Sequence, residues 1–181
     1  MAVYDEYIEE VLLTEQQIQQ RVAELGAQIS ADYRDADRLL LVCILRGAVV
    51  FLSDLMRHIT IPTAIDFMAV SSYGVGARTS TGVVRIMMDL KTNIENKHVL
   101  IVEDIIDTGH TLRYITRMLG GRNPASLKVA CFLSKPERRE AEVPVDYIGF
   151  EIPDRYVFGY GLDVDELWRH LPFLAVLRKG K

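Results

Sequence analysis

Cysteine, positive charge in excess and long apolar runs are all scarce in this sequence. Its two cysteines, Cys43 and Cys131, lie inside apolar stretches, where a thiol packs as a small reduced hydrophobe rather than as part of a disulfide frame or metal site. The longest unbroken apolar run is seven residues, Leu39 to Leu45, far short of the roughly 20 that cross a bilayer. The opening residues, MAVYDEYIEE, are acidic and carry no apolar stretch of the kind a secretory signal needs. Lys and Arg number 21 against 25 Asp and Glu, a net charge of −4, which opposes non-specific binding to nucleic acid or to an anionic membrane. A cytoplasmic protein with neither a membrane nor a nucleic-acid partner is expected.

The composition that remains is that of a folded domain, with 49% hydrophobic and 25% charged residues. No repeat, linker or low-complexity stretch divides the 181 residues, so one domain spanning 1–181 is expected, long enough to bury about two-thirds of its unfolded surface. Ile18, Val22, Leu25 and Ile29 recur at helical spacing. Thr14 and Gln17 stand as a capping box ahead of them, which predicts a helix over Thr14 to Ile29. Leu39 to Leu45 is apolar throughout and suits a strand covered on both faces. A helix over Ala48 to Ile59 and a strand over Pro62 to Val70 follow. Ser71 to Gly82 is polar and rich in glycine, which predicts a mobile loop, and the alternation from Val83 to Leu90 predicts the returning strand of a hairpin.

Strands at His98 to Val102 and Leu127 to Leu133 flank a helix over Thr111 to Leu119, ended by Gly120-Gly121. Strand, helix and strand over so short a span make a βαβ crossover, and hence parallel pairing. Strand and turn at Val145 to Ile152 and Tyr156 to Gly161, a short helix at Val164 to His170 and a last strand at Phe173 to Leu177 close the chain. The fold expected is α/β, with a Rossmann-like, mostly parallel sheet flanked by helices. His58, His98 and His170 show no metal-ligand spacing.

Chemistry concentrates at strand ends, where ligands of open parallel sheets sit. In IVEDIIDTGHT the strand runs into the adjacent acids Glu103 and Asp104, then Asp107, then Thr108-Gly109-His110-Thr111 opening a helix. A tight glycine turn at a helix N-terminus cradles an anion with backbone N–H groups, and the two threonine hydroxyls add donors. No Lys-Ser or Lys-Thr follows a glycine-rich turn, so a P-loop nucleoside triphosphatase is excluded. Neighbouring carboxylates beside a phosphate cradle suit a sugar, whose hydroxyls they accept directly or through Mg²⁺. On its own the motif argues for a sugar phosphate and leaves the rest of the substrate open.

The motif resembles the phosphoribosyl pyrophosphate (PRPP) signature of type I phosphoribosyltransferases. LRG at Leu45 to Gly47, SSYG at Ser71 to Gly74, LSKP at Leu133 to Pro136 and GFEIPDRYVFGYGLD at Gly149 to Asp163 occur in the order found in the 6-oxopurine branch, the hypoxanthine-guanine phosphoribosyltransferases. The resemblance implies a small hood, a flexible lid and a homo-oligomer, dimer or tetramer. The implied reaction moves the phosphoribosyl group of PRPP to hypoxanthine or guanine with Mg²⁺ as cofactor, giving IMP or GMP and pyrophosphate.

It implies a role for each matched residue. Glu103 and Asp104 bind the ribose hydroxyls, partly through Mg²⁺; Asp107 is the acid or base at purine N7; Thr108, Gly109, His110 and Thr111 hold the 5′-phosphate, with His110 acting through its backbone. Leu45, Arg46 and Gly47 form the pyrophosphate loop, with a cis peptide ahead of Arg46. Lys135 donates to the base O6, Tyr156 stacks on the ring and Val157 presents backbone groups to its edge. Asp163 is a Mg²⁺ ligand and Arg169 a pyrophosphate contact. Ser72 and Tyr73 belong to the lid, which excludes water from an oxocarbenium-like state. Two rivals share the fold: a transferase for xanthine or a pyrimidine, and an RNA-binding regulator, which the negative charge disfavours.

Overall fold

The computed structural model describes residues 2–72 and 84–180. Residues 73–83, which hold Tyr73 and most of the expected lid, lie outside the described residues. The chain starts with a 3₁₀ turn at Val3–Glu6 and strand β1, Ile8–Leu13, before helix α1, Glu15–Asp32. Thr14 caps α1: its hydroxyl accepts from the Gln17 N–H at 3.3 Å, and the Gln17 carboxamide accepts from the Thr14 N–H at 2.9 Å. This is the capping box expected, and Ile18, Val22, Leu25 and Ile29 form the buried face.

Strand β2, Leu39–Leu45, and helix α2, Val49–Arg57, lead into β3, Thr63–Ser72, and β4, Val84–Met88. The expected hairpin is present, but β3 runs two residues past the expected loop start, because Ser71 pairs with Arg85 and Ser72 with Val84. Next come β5, His98–Ile106, helix α3, His110–Gly120, and β6, Ser126–Ser134, followed by β7, Tyr147–Glu151. These build a sheet of order β4-β3-β2-β5-β6-β7, parallel throughout except for β4.

The uniformly apolar strands are buried on both faces. Leu39, Leu41, Cys43, Leu100, Val102 and Phe132 meet α1 and α2, while Leu40, Val42, Val99, Ile101 and Cys131 meet Leu112, Ile115 and Leu119 of α3. Both cysteines are free and buried, as expected, and desolvation raises both thiols, Cys43 to about 12. A parallel sheet sandwiched between helices reads as continuous hydrophobic sequence for this reason.

A second, three-stranded antiparallel sheet joins β1 to β9, Leu174–Leu177, and β9 to β8, Val157–Phe158. It is the hood that the resemblance implied, and the first strand of the chain is part of it. Among the described residues, no helix is long and apolar enough to cross a membrane.

The structure corrects two expectations. Strand β5 continues through Glu103 and Asp104 to Ile106, because β6 keeps pairing with it as far as Ile106 and Ser134; the acids therefore sit within a strand rather than after it. No helix forms at Val164 to His170. Asp165, Glu166 and Trp168 have φ of 51°, 69° and 71°, a region that cannot propagate a right-handed helix. Instead Val164 and Leu167 form an antiparallel bridge, and the Glu166 N–H donates to Asp163 Oδ2 at 2.9 Å.

Candidate active site

The C-terminal ends of β2, β3 and β5 open onto a cleft of about 270 Å³ lined by Ile44, Leu45, Val70 and the continuous segment from Glu103 to Gly109, with Thr111 and Leu112. The segment singled out in the sequence is therefore the floor of a real concavity. Gly109 takes φ of 87° as N-cap of α3 and offers no side-chain cap, so the first-turn amides remain available to an anion. A side chain at Gly109 would crowd the Ala141 carbonyl. The His110 ring pairs with Glu140, Nε2 to Oε2 at 2.9 Å, and His110 is not among the residues that line the cleft.

Glu103 is buried and Asp104 half-buried. Glu103 is 9% exposed, and its Oε2 has no hydrogen-bond partner among the described residues. Burial, then the neighbouring Asp104 charge, drives its carboxyl well above the ordinary carboxylate range. Asp104 is pushed up to about 6 by burial and by the Asp163 charge, against the lowering effects of the Ile105 N–H and the Arg169 guanidinium. The Ile105 N–H donates to Asp104 Oδ1 at 2.6 Å. An orphaned buried carboxylate oxygen beside a second acid is costly unless something positive or hydrogen-bonding meets it.

The loop Leu45–Gly47 contains the cis peptide expected, between Leu45 and Arg46. Gly47 lies against the Asp104 carboxylate so closely that a Cβ there would collide with it, and a Cβ on Gly161, at φ of 100°, would collide with the Gly47 carbonyl. Only glycine fits at 161, whereas a side chain at 47 would have to displace the Asp104 carboxylate. Arg169 donates to the Gly161 carbonyl at 2.9 Å and pairs with Asp163 at 2.7 Å. Glu166 bridges Arg46 at 2.6 Å and Arg169 at 3.2 Å, so two cations converge on one carboxylate where an anionic ligand would be expected.

At the other end, the Lys135 N–H donates to the Ile106 carbonyl at 3.0 Å, which brings the ends of β5 and β6 together. Lys135 is buried and reaches Asp154 at 3.4 Å. Tyr156 is 60% exposed, leaving a ring face open for stacking, while Val157 is buried in β8. Ser72 ends β3. Lys135, Tyr156, Val157, Asp163 and Arg169 stand outside the lining of the cleft itself. Sequence reasoning passed over Arg138, Asp154, Glu166 and Gly161, three of them charged residues whose partners are fixed only by the fold.

The phosphoribosyl transferase domain matches residues 10–167. The chain belongs to the phosphoribosyltransferase family. The hypoxanthine-guanine phosphoribosyltransferase of Dictyostelium discoideum is 51% identical over 173 residues, covering 94% of this chain and 96% of that one. The corresponding enzyme of Mycobacterium avium is 49% identical over 180 residues, covering 97% and 88%. A crystal structure of a Staphylococcus aureus hypoxanthine phosphoribosyltransferase superposes with a TM-score of 0.93 at 48% identity, covering 98% of this chain and 95% of that one. The cleft floor from Glu103 to Thr111 lies inside the matched residues.

Proposed function

We propose that this phosphoribosyltransferase is a purine-salvage enzyme that transfers the phosphoribosyl group of PRPP to hypoxanthine or guanine, releasing pyrophosphate. The observation that carries the base assignment is the placement of Lys135 and Asp107 at the adjoining ends of β6 and β5. An ammonium only donates, so it satisfies a 6-oxo group and meets the 6-amino group of adenine donor to donor.

In the reaction, purine N9 forms the bond to C1′ as the C1′–O bond breaks and its electron pair leaves with pyrophosphate. The N7 proton passes to Asp107. Lys135 holds O6, Tyr156 stacks on the ring and the Val157 backbone meets the ring edge. Thr108, Gly109, His110 and Thr111 hold the 5′-phosphate. Glu103 and Asp104 accept the ribose hydroxyls, and the Leu45–Gly47 loop with Arg169 receives the leaving anion.

The residues suit Mg²⁺. The orphaned oxygen of buried Glu103, beside Asp104, suits a hard cation that takes carboxylate oxygens and completes its shell with substrate oxygens and water. Glu103 and Asp104 would hold it on the ribose side, and Asp163 would hold it on the pyrophosphate side. When bound, Mg²⁺ supplies positive charge to the departing pyrophosphate.

Initial rates with PRPP, Mg²⁺ and a panel of hypoxanthine, guanine, xanthine, adenine and uracil test the assignment. Product is expected from hypoxanthine, guanine or both; no product from either overturns it. RNA binding at sub-micromolar protein that weakens with salt would favour the regulator instead.

A further inference from the structure

Pro136 opens a 3₁₀ turn, Pro136–Arg138, directly after Lys135, and the Arg138 N–H donates to the Lys135 carbonyl at 3.2 Å. The turn folds Arg138 back over the end of β5. There its Nε donates to Asp107 Oδ1 at 2.9 Å and its Nη2 to Oδ2 at 3.4 Å, so both carboxylate oxygens are engaged. Nη1 of the same guanidinium lies 3.6 Å from Asp154 Oδ2, while Asp154 Oδ1 accepts from Lys135 Nζ at 3.4 Å. Four charges thus alternate in a chain: Asp107, Arg138, Asp154, Lys135. The two ends of that chain are the two groups that the base-site reading assigns to purine N7 and O6.

We propose that Arg138 is a positioning residue of the base site, which holds Asp107 until an incoming 6-oxopurine displaces it onto Asp154. This rests on the role given to Asp107 above. The exchange conserves charge. As the purine takes Lys135 through O6 and Asp107 through the proton shared with N7, carried by N7 in the free base and by Asp107 opposite IMP, the two residues they release already face each other at 3.6 Å. The contact is also cheap to open. Arg138 and Asp107 side chains are 43% and 44% exposed, and pairs so open to water hold weakly. A buried bidentate pair would block the site; this one holds an empty site in order and yields to ligand.

The test compares Arg138→Met and Arg138→Lys in the wild-type and Asp107→Asn backgrounds, using the KM for hypoxanthine and the Kd for IMP by calorimetry. Arg138→Met keeps the side-chain length without the charge, so the KM for hypoxanthine and the Kd for IMP are expected to fall about two- to fivefold, with kcat changing less than KM. Lysine, a point charge that cannot span both oxygens, is expected to give an intermediate value. With Asn at 107 there is no charge for Arg138 to hold, and Arg138→Met is then expected to leave the Kd for IMP unchanged. A base KM that rises or stays put overturns the proposal, as does a fall in kcat at constant base KM, which would put Arg138 in the chemistry. A Kd effect that persists in the Asp107→Asn background overturns it too. Failure of the underlying reading looks different: Asp107→Asn alone would then leave kcat unchanged.

Discussion

At the proposed ribose end of the cleft, Glu103 and Asp104 are built into a central strand, Glu103 buried with one oxygen left without a partner. At the base end, Asp107 and Lys135 stand on connections just past the same pair of strands, and each already has an ion-pair partner from the protein. The two ends hold charge in opposite ways. The strand fixes its carboxylates rigidly and leaves their electrostatic cost to be offset by what binds, whereas the base end satisfies itself and must exchange partners on every turnover. Preorganised charge is most effective where it cannot relax, and exchangeable charge suits the place where substrates are selected.

The sharpest way to break this contrast is at Asp107. Asp107→Asn is expected to lower kcat by about 10²–10⁴-fold without moving the melting temperature by more than a degree or two, as read by steady-state kinetics and circular dichroism. Wild-type turnover in that variant would remove Asp107 from the proton transfer. Lys135→Met should cut kcat/KM for hypoxanthine by roughly 10- to 100-fold, the worth of a charged hydrogen bond, while leaving the KM for PRPP near its starting value. An equal loss for both substrates would mean that Lys135 serves the whole cleft rather than the base.

The ribose end is tested through pH. Both acids titrate above the ordinary carboxylate value, so the folded protein binds protons more tightly than the unfolded chain does. Stability of the ligand-free protein should therefore fall as pH rises from about 4, where an unfolded carboxylate titrates, through about 6, where folded Asp104 does. Glu103→Gln removes one of the two charges, and is expected to raise the melting temperature at pH 8 by a few degrees and to flatten its pH dependence between 5 and 8. Scanning calorimetry reads both. A wild-type protein that gains stability over that interval would show that the pair is satisfied in some other way.

The smallest effect is expected at the hood. Arg155 pairs with Glu9 at 2.6 Å and Glu10 at 3.5 Å, and Arg155→Ala should cost no more than about 1 kcal/mol of stability in a denaturant titration. A larger loss would mean that the hood depends on its rim charges more than on the pairing of its strands.

Legibility followed the range of the forces involved. Helix α1 could be read at its first residue because Thr14, Gln17 and the apolar face are all local. Strand β2 could be read at both ends because burial on two faces leaves no polar interruption. The end of β5 could not, since pairing with β6 carries the strand through two acids that composition alone would place in a loop. The stretch from Val164 was misread as helix because its left-handed turns at Asp165, Glu166 and Trp168 are held by tertiary contacts, among them Trp168 against Tyr4 and Tyr7. Arg138 went unnoticed for a similar reason, as its partner Asp107 lies 31 residues earlier. The PRPP signature stood out because strand end, turn and helix start are consecutive in the chain.

The hood also gives strand β1 a place in the fold. Strand β1 is fastened to β9, and β9 holds β8 through the pairing of Val157 with Val176 and the bond from the Leu177 N–H to the Tyr156 carbonyl at 2.8 Å. Strands β1 and β9 are buckled together, and the proposed shelf for the purine ring hangs from the buckle. Slack introduced in either strand, by trimming or by a bulky fusion, would travel two strands and arrive as a change in how firmly the base is gripped.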